Sequence, residues 1–554
     1  MTASKIVLQR LRFCHLEFHA EPPNKQFKLP LWQKKAALAY WTSADEGVSQ
    51  SPEQVEFAKD CSVSSDTFFN AFYTGHWRRL TCLESLFLRI GFSGEFLLEV
   101  FSHTERGEAE LLESVLLDGP GETEFEVAIP PEKIRTSLRL NFKLTSRKDG
   151  SRLRGGDWRT TDLPIQPVRL SIGITTYNRH EFAQRLIQKI LGDSALEKED
   201  IQIQVIDQSD ISRLDHLNED RIRITRQKNL GSSGGFSRAI HECVYAGRDE
   251  QPTHILLMDD DVEIETDSIL RAIRMAQFAK APFLLGGTQL DLYHPTCAYS
   301  MGETFQKDAY GYYDGFRALK TNLLSIDASL PNYMNAISVP YATDYCGWWF
   351  CMIPVEAILK MKLPVQFFVK ADDVEYGLRA KSLGYLSHTI AGVGLWHPPP
   401  NSKSAAWIRY MDFYTHLMLN SFCGYPEVAN LLQMQAIWAL QEIAKHKYQN
   451  AAAMIRAMED YLGGWSFYRN RTFPDYIVDL KRDVATYEAN DKSVPTIRQE
   501  QFDALRDRLT AVVLRVKQDG PAAQASMKEN LPKTTDPKAW EYYFAHGNHA
   551  ELFG

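Results

Sequence analysis

Four short apolar runs separated by helical patterns constrain the fold of residues 168–258 more than any other feature of the sequence. The runs are "VRLSIGITTY", "IQIQVIDQS", "IRIT" and "HILLM", which begin at Val168, Ile201, Ile222 and His254. Between them lie amphipathic stretches such as "HEFAQRLIQKIL" and "GFSRAIHECVYAG". Strands that alternate with helices predict a mostly parallel sheet covered on both faces. Ligands of such sheets bind at the carboxyl ends of the strands.

The pattern changes on both sides of this region. Residues 1–150 contain short alternating runs such as "EFLLEVFS" and "SLRLNFKL", which predict an N-terminal β-sandwich. The polar stretch at residues 145–167 predicts a linker or a long loop. Residues 151–404 then form the α/β domain. Residues 405–554 carry apolar side chains at spacings of three and four and predict a C-terminal α-helical region, of which residues 531–554 would be an ordered tail or docking segment.

Composition narrows the class of protein. A hydrophobic content of 44% with 24% charged residues over 554 residues is typical of a folded protein of several domains. The net charge of -8 argues against nucleic acid as a partner. We find no secretory signal and no uncharged apolar run long enough to span a bilayer, so we expect a cytoplasmic protein. Basic residues beside amphipathic stretches such as "IAKHKYQNAAAMIRAM" leave peripheral contact with the inner face of the cytoplasmic membrane open.

Three adjacent aspartates, Asp259, Asp260 and Asp261, directly follow the apolar run "HILLM". Adjacent carboxylates repel each other, so the triplet either points into solvent or holds a cation. Side chains two apart in an extended segment point the same way, so the outer two aspartates suit a divalent cation shared with a diphosphate. The alternative is an acidic strand end followed by a helix N-cap at Thr266 or Asp267, and the triplet alone does not decide between them.

Other predicted strands end in equally distinctive loops. "TTYNR" ends the first strand at Arg179, "DQS" begins at Asp207, and "NLGSSGGFSR" precedes a helix. Gly231, Gly234 and Gly235 in the last of these would let backbone N–H groups and the helix N-terminus approach a sugar nucleotide closely. A Gly-Gly pair before a helix is also a common turn, and the stretch lacks the lysine-serine ending of a P-loop.

A second acidic cluster lies in "DDVEYGLRA", where Asp372, Asp373 and Glu375 open a predicted helix. Acids at this place suit the helix dipole, and the functional alternative is that one carboxylate acts as a general base. His397 follows Trp396 at a predicted strand end. Such a histidine is more often a buried hydrogen-bonding residue than a ligand, but it is the third metal ligand that the aspartate pair lacks.

Trp348 and Trp349 stand side by side in "DYCGWWFCMIP". In a strand, one of the two would pack into the core and the other would face outward. An outward tryptophan beside a cleft can stack on the apolar face of a sugar.

Taken in order, "TTYNR", "DQS", "NLGSSGGFSR", "MDDDVE", "MGE", "GWWFCMIP", "DDVEYGLRA" and "LWH" resemble the inverting, metal-dependent family 2 glycosyltransferases with a GT-A fold. Among these, the chain is most similar to the UDP-galactofuranosyltransferases that build mycobacterial galactan. The resemblance covers residues 170–400, and "DTFFNAFYTGHWRRLT" is similar to the β-sandwich that precedes the catalytic domain of those enzymes.

The resemblance implies a metal-dependent transferase that moves galactofuranose from a UDP donor to a hydroxyl of a glycan or lipid-linked acceptor in cell-surface polysaccharide synthesis. The implied metal is Mn²⁺ or Mg²⁺, and a homo-oligomer is compatible with the sequence. The implied catalytic residues are Asp373, as the base, and Asp372 beside it. The implied metal ligands are Asp259, Asp261 and His397. The implied donor-binding residues are Arg179, Asp207, Asn229, Asp260 and Trp349. The implied acceptor-binding residues are Trp348, Glu303 and Glu375.

The chain departs from the family pattern around the acceptor site. Ala371 stands where the family has a tryptophan, and Pro398–Pro400 replace polar or aromatic residues after the Trp-His pair. These losses argue against chain polymerisation and favour the addition of one or a few sugar residues. Three alternatives stay open: a transferase using another UDP-hexose, a sugar nucleotidyltransferase, and a non-catalytic carbohydrate-binding scaffold. The second would need a basic glycine-rich loop after the first strand, and the third would be expected to lose the acids of the cleft.

Overall fold

The computed structural model of the chain describes residues 5–15, 18, 27–106, 108–247, 250–305, 317–318, 324–325, 331–399, 405–423, 428–487 and 499–552. The predicted boundary between residues 404 and 405 lies at the edge of this description, and Pro400 lies outside it. None of the helices within these ranges is long and apolar enough to cross a bilayer.

The N-terminal region is an antiparallel β domain with three short helices. Its elements are β1 (Ile6–Arg10), α1 (Leu29–Ala37), β2 (Val48–Gln50), β3 (Val55–Phe57), β4 (Ser62–Ser64), α2 (Thr74–Leu80), β5 (Phe87–His103), β6 (Ala109–Ala128), α3 (Pro131–Thr136), β7 (Arg139–Ser146) and β8 (Ser151–Thr160). The strand order is β2-β3-β8-β5-β7-β4, with β1 added to β8 and β6 added to β5.

Strand β5 divides this sheet into two branches. It pairs with β8 as far as Ser93 and with β7 from Phe96 onward. The change occurs at Gly94, whose φ of 103° is one that side chains with a Cβ rarely adopt. The rings of Phe57 and Phe96, 5.1 Å apart, pack between the branches. The two branches belong to one continuous eight-stranded antiparallel sheet, which is the element predicted as a β-sandwich.

Strand β8 corrects the prediction of a linker at residues 145–167. Leu153 and Trp158 of this strand are fully buried, and the strand pairs with β1, β3 and β5. The register shifts beside Gly155, so the apolar side chains do not alternate regularly along the strand. This irregularity made the stretch resemble a polar loop. The N-terminal domain therefore extends to Thr160 and does not end at residue 150 as predicted.

The central domain is built on one mixed sheet. Its elements are β9 (Leu170–Thr176), α4 (His180–Leu191), β10 (Ile201–Asp207), β11 (Ile222–Arg226), α5 (Gly231–Val244), β12 (His254–Asp259), β13 (Glu263–Ile264), α6 (Asp267–Gln277), β14 (Leu284–Asp291), β15 (Cys297–Ser300), β16 (Glu303–Thr304), β17 (Arg317–Ala318), β18 (Leu324–Ser325), α7 (Pro331–Ser338), β19 (Ala342–Thr343), β20 (Cys351–Pro354), α8 (Val355–Met361), α9 (Asp372–Ser382) and β21 (Ser387–His397).

The strand order of this sheet is β11-β10-β9-β12-β20-β14-β15-β18, and β21 pairs with β13, β14 and β19. Strands β9, β10, β11 and β12 are mutually parallel, as the sequence predicts. Strand β20 runs antiparallel to both β12 and β14, whereas β21 is parallel to β14. Strands β12, β14 and β21 therefore run in the same direction and end at the same edge of the sheet. Every residue of the central strand β9 is buried, as expected for a sheet covered on both faces.

The C-terminal region is helical, as predicted. Its elements are α10 (Ala406–Cys423), α11 (Val428–Ala444), α12 (Tyr448–Leu462), α13 (Gly464–Arg469), α14 (Phe473–Val484), α15 (Gln499–Asn530), a 3₁₀ turn (Leu531–Thr535) and α16 (Pro537–His546). Its core is continuous with Val365, Phe367 and Phe368 of the central domain. Helix α16 docks on α5, where the rings of Phe544 and His241 lie 5.6 Å apart.

Candidate active site

The carboxyl ends of the parallel strands bring the predicted residues together at one edge of the sheet. Asp207 pairs with Thr176 at the ends of β10 and β9, and Asp259 pairs with Thr175 at the end of β12. His397 is the last residue of β21. The strand-end loops therefore meet at one edge, as expected for a parallel sheet.

Asp259, Asp261 and His397 form a cluster that we call the metal triad. One ligand atom from each residue lies within 4.8 Å of the other two. Nε2 of His397 is 3.0 Å from Oδ1 of Asp261 and 3.8 Å from Oδ2 of Asp259. Two carboxylates and one imidazole are suitable ligands for a divalent cation such as Mn²⁺. The geometry of the triad therefore fits a metal site.

Gln289 is a neighbour of the triad that the sequence did not single out. Its side chain is fully buried, and its Nε2 lies 3.3 Å from Nδ1 of His397. Its Oε1 is buried without a hydrogen-bond partner among the described residues. If the Gln289 amide is turned over, its Oε1 accepts a hydrogen bond from a protonated Nδ1 of His397. The lone pair on Nε2 of His397 is then available to a metal. This unsatisfied oxygen is a second observation that fits a metal-bound form of His397.

Arg179 lies directly beside the triad. Its Nη1 donates to Oδ2 of Asp261 and is 3.4 Å from Oδ1 of Asp260. Burial alone would lower the pKa of Arg179, but the two carboxylates outweigh burial and raise it. Asp260 is almost fully buried, and burial followed by repulsion from Asp261 raises its pKa. Arg179 therefore places a permanent positive charge at the predicted donor site.

Asp372 and Asp373, which we call the acid pair, lie in the first turn of α9 and face the same cleft. Asp372 is only 5% exposed, whereas Asp373 is partly exposed and its Oδ1 accepts from the N–H of Val374 at 2.8 Å. Burial raises the pKa of both carboxyls, and the neighbouring charge of Asp259 raises them further. The metal triad and the acid pair are thus near enough to interact electrostatically.

Glu303 adds another carboxylate to the cleft. It is buried, its Oε1 accepts from Oγ of Ser300 at 3.0 Å, and it is hydrogen-bonded to the side chain of Tyr345. Burial raises the pKa of Glu303, and the charge of Glu303 in turn contributes to the raised pKa of Asp373. Glu303 therefore lies beside the acid pair. Its hydrogen-bond partner Tyr345 is a residue of this site that the sequence analysis did not predict.

Glu375 does not lie in the cleft, so its predicted contact with an acceptor is wrong. Its side chain is fully buried. Its Oε1 accepts from Nε of Arg379 at 2.7 Å, and its Oε2 accepts from Nη2 of Arg379 at 2.7 Å and from the N–H of Val365 at 3.1 Å. Two positions along an α-helix turn a side chain by about 200°, so Glu375 faces away from Asp373. Glu375 stabilises the start of α9 from within the core.

Trp348 is also a core residue, and its predicted place in the acceptor site is wrong. It is 5% exposed, and its ring makes edge contacts with Phe236 at 5.4 Å and Tyr376 at 5.9 Å. Trp349 is partly exposed, and its Nε1 donates to the carbonyl of Gly287 at 3.1 Å. Of the adjacent pair, only Trp349 has a surface that a sugar could contact.

The glycine-rich loop packs against protein and not toward open space. A Cβ on Gly231 would lie 1.9 Å from the carbonyl oxygen of Phe368, and one on Gly235 would lie 1.9 Å from Oγ1 of Thr175. The N–H of Ser233, in the first turn of α5, donates to the same Phe368 carbonyl at 3.1 Å. The predicted close approach of this helix N-terminus to a nucleotide is therefore wrong. The glycines allow α5 to pack closely on β9 and on the segment before α9.

Asn229 and Gln208 hold this loop in place. Oδ1 of Asn229 accepts from the N–H of Gly231 at 3.0 Å, so the side chain serves the turn. Gln208, which sequence reasoning missed, accepts from the N–H of Leu230 and donates to the carbonyl of Gly231, both at 2.9 Å. Gly234 is buried against Leu230. Gln208 could have been predicted from the sequence, because it lies next to Asp207 at the end of a predicted strand.

Asp207 is fully buried at the end of β10. Its Oδ1 accepts from the N–H of Ser209 at 3.0 Å, and its Oδ2 is 3.3 Å from Nε2 of His180. The structure thus brings Asp207 to the same edge as Arg179 and the metal triad, as the sequence predicts.

Comparison with known proteins agrees with this arrangement of domains. A family described as "Galactofuranosyltransferase 2 N-terminal" matches residues 39–161, and one described as "Glycosyltransferase like family 2" matches residues 167–412. Residues 167–412 therefore form a domain of the family 2 glycosyltransferases. The predicted fold class is confirmed: a GT-A catalytic domain follows an N-terminal β domain and precedes a helical region.

Two curated relatives are similar to this family 2 glycosyltransferase over most of its length. Galactofuranosyltransferase GlfT2 of Mycolicibacterium smegmatis is 30% identical over 432 residues, which cover 74% of this chain and 65% of the relative. Galactofuranosyltransferase GlfT2 of Mycobacterium tuberculosis is 29% identical over 448 residues, which cover 76% of this chain and 68% of the relative. The chain thus spans about two thirds of the length of these relatives.

Solved structures align less closely with this glycosyltransferase. The mannosyltransferase PcManGT from Pyrobaculum calidifontis, in complex with GDP-Man and Mn²⁺, gives a TM-score of 0.33 at 10% identity and covers 64% of this chain and 89% of that chain. GalNAc-T7 with UDP, GalNAc and Mn²⁺ gives a TM-score of 0.30 at 12% identity and covers 48% of this chain and 54% of that chain. Similarity this low assigns no ligand to the present enzyme.

Proposed function

We propose that this glycosyltransferase transfers galactofuranose from a UDP donor to a hydroxyl of a glycan or lipid-linked acceptor, with inversion, in the synthesis of cell-surface galactan. The observation that carries the proposal is the cleft in which the metal triad and the acid pair interact. The choice of donor sugar is supported by the two relatives named galactofuranosyltransferases.

Asp259, Asp261 and His397 would hold Mn²⁺ or Mg²⁺ in this proposal. The ion would supply positive charge where the diphosphate of the leaving UDP develops negative charge. Arg179, which pairs with Asp261, would supply a second positive charge on the same side of the cleft. Asp207, which is buried at the neighbouring strand end, would hold the loop at Ser209 in place beside the nucleoside.

Asp373 would act as the general base. Its raised pKa makes it a stronger base than an exposed aspartate, and its partial exposure leaves it accessible to an acceptor hydroxyl. The bond between its Oδ1 and the N–H of Val374 fixes the direction of the carboxylate. Removal of the hydroxyl proton as the oxygen attacks the anomeric carbon, on the face opposite to UDP, would invert the configuration in a single displacement.

The acceptor side of the cleft favours a short addition over polymerisation. Ala371 stands directly before the acid pair, where a tryptophan would offer a sugar a stacking surface, and Trp348, the predicted aromatic residue of the acceptor site, is buried in the core. A lipid-linked acceptor would bring the enzyme to the inner face of the cytoplasmic membrane.

The test is calorimetric titration of the full chain with UDP, first with Mn²⁺ and then with EDTA. Hydrolysis of UDP-galactofuranose, UDP-galactopyranose and UDP-glucose would then be compared. We expect Mn²⁺-dependent UDP binding and turnover of the furanose donor alone. Turnover of a pyranose donor instead would contradict galactofuranose as the donor sugar but would still agree with a glycosyltransferase. Absence of UDP binding under both conditions would overturn the proposal and favour the carbohydrate-binding scaffold.

A further inference from the structure

The segment at residues 362–371, which joins α8 to α9, has an unusual backbone. Phe368, Lys370 and Ala371 have φ angles of 74°, 65° and 66°. Residues with a Cβ are disfavoured in this region, so the conformation persists only where the surrounding structure enforces it. The segment leads directly into the acid pair, so whatever enforces its conformation also sets the position of Asp373.

The C-terminal region supplies much of this support. Nε1 of Trp540 in α16 donates to the carbonyl of Pro364 at 2.8 Å. The hydroxyl of Tyr468 in α13 donates to the carbonyl of Gln366 at 2.6 Å. On the opposite side, the N–H of Ser233 donates to the carbonyl of Phe368. The segment is thus held between α5 and residues that lie about 100 positions or more further along the chain.

His549 completes this support through the side chain of Gln366. Nε2 of the His549 ring is hydrogen-bonded to Oε1 of Gln366, and the backbone N–H of His549 donates to the carbonyl of Arg469 at 2.9 Å. The ring is 1% exposed and stacks on Tyr543 at 5.0 Å and on Tyr468 at 6.1 Å. Burial lowers the pKa of His549 to about 3, so the ring is neutral at physiological pH.

We propose that the C-terminal tail, through Trp540 and with His549 as the positioning residue, holds the acid pair in its working geometry by fixing the segment that carries Gln366. This inference rests on the proposed function, because Asp373 must be the base for its position to affect turnover. The metal triad lies at the ends of β12 and β21, which are held by sheet pairing and not by this tail. A change in the tail should therefore alter the chemical step and leave nucleotide binding intact.

The test compares His549→Phe, which keeps the stacked ring but removes the hydrogen-bond donor, with His549→Gln, which keeps a donor. The matched control is His546→Phe, an exposed histidine of α16. We expect His549→Phe to lower kcat about 10-fold, with KM for the donor and Kd for UDP changed by less than about twofold. His549→Gln should restore at least half of the lost kcat, and His546→Phe should match the wild type.

Hydrogen exchange separates this inference from the proposed function. In His549→Phe we expect faster exchange at residues 365–373 and unchanged exchange in β9. Unchanged kcat and unchanged exchange at residues 365–373 would overturn the inference. A parallel loss of UDP affinity and kcat would also overturn it, because it would indicate general destabilisation. If the wild type turns over no donor, the proposed function fails, while the exchange data still decide whether His549 holds the segment.

Discussion

The metal triad and the acid pair face one cleft, yet they are supported in different ways. The triad lies at or directly after strand ends: β12 pairs with β9 and β20, and β21 pairs with β13 and β14. Backbone ladders on both sides of these strands fix Asp259 and His397. The acid pair follows a segment with four positive φ angles that is held by a backbone N–H of α5 and by side chains of α13 and α16.

This difference suggests that binding and turnover depend on separate parts of the molecule. A backbone ladder is determined by the strands themselves, so the triad should tolerate changes elsewhere in the chain. The acid pair depends on contacts such as that between Gln366 and His549, which are far apart in sequence. Substitutions near the acid pair should therefore change kcat, whereas substitutions in the triad should change the affinity for UDP.

The largest effect is expected from Asp373→Asn. The amide keeps the shape of the side chain but cannot take up the acceptor proton, so kcat should fall about 10³-fold. UDP affinity in the presence of Mn²⁺ should be unchanged, because Asp373 is not a triad residue. Steady-state kinetics and calorimetric titration would measure the two quantities.

Glu375→Gln is the matched control for Asp373→Asn, since it changes an acid two positions away on the same helix. Loss of the buried pair with Arg379 should lower the free energy of unfolding by about 3 kcal/mol without a specific loss of kcat. Normal turnover in Asp373→Asn would show that Asp373 is not the general base. A specific loss of kcat in Glu375→Gln would restore that residue to the cleft.

The next largest effect is expected from Asp261→Ala. Removal of one carboxylate from the triad should weaken Mn²⁺-dependent UDP binding about 100-fold. Asp210→Ala, an exposed aspartate near the same sheet edge, should bind UDP like the wild type. UDP binding of normal strength in Asp261→Ala, unaffected by EDTA, would show that the triad is not the metal site.

The sequence was sufficient to predict the parts of the molecule that local patterns determine. Apolar runs of strand length identified β9, β10, β11 and β12, and the run "HEFAQRLIQKIL" coincides with α4. Parallel strands end at one edge, so Arg179, Asp207 and the aspartate triplet could be placed together without knowledge of the sheet order. The assignment of Asp259, Asp261 and His397 as metal ligands came from the resemblance to the family 2 glycosyltransferases, because the residues alone left a structural role open.

The remainder of the site depends on contacts that leave no local pattern. The contact of Gly231 with Phe368 and that of Gln366 with His549 join distant positions, so neither the packing role of the glycines nor the role of the tail could be read from the sequence. Trp348 and Trp349 lie in the turn before β20 and not in a strand, so the alternation of a strand could not predict which of the two is buried. Strand β8 was missed because an irregular register beside glycine residues hides its apolar alternation.

A smaller effect is expected from Gly231→Ala. Gly231 is the first residue of α5 and packs against the segment that precedes the acid pair. Both Gly231 and Gly247 have positive φ, so this backbone conformation alone should make an alanine at either position cost about 1 kcal/mol of stability. Only at position 231 would the new Cβ lie 1.9 Å from the Phe368 carbonyl, whereas a Cβ at position 247 meets no atom within 4 Å. Gly231→Ala should therefore displace the 362–371 segment and lower kcat about fivefold.

Gly247→Ala is the control for this prediction, and kcat, UDP affinity and the unfolding temperature should be measured for both variants. Equal kcat values for the two alanine variants would contradict the idea that α5 supports the acid pair. A loss of UDP affinity in Gly231→Ala alone would mean that the glycine loop also serves the triad side of the cleft.

The smallest effect is expected from mild acid, and it should affect the two sides of the molecule differently. Burial alone would raise the pKa of Glu265, but Arg12 at 2.8 Å outweighs burial and the pKa falls to about 2, below its ordinary value of 4.5. A lowered folded-state pKa contributes stability above pH 4.5 that is lost as the pH falls toward 2. Between pH 5 and pH 4 the loss should be about 0.7 kcal/mol.

Glu265 lies between the metal triad and α6, and its partner Arg12 follows β1, so this loss should appear on the triad side. On the other side, burial raises the pKa of Asp460 in α12, and a raised carboxyl pKa makes acid stabilising there. Hydrogen exchange, corrected for its intrinsic pH dependence, should become about threefold faster in β1 between pH 5 and pH 4 and no faster in α12. Equal acceleration in both elements would mean that the two sides unfold as one cooperative unit, and the separate support of triad and acid pair would then have to be abandoned.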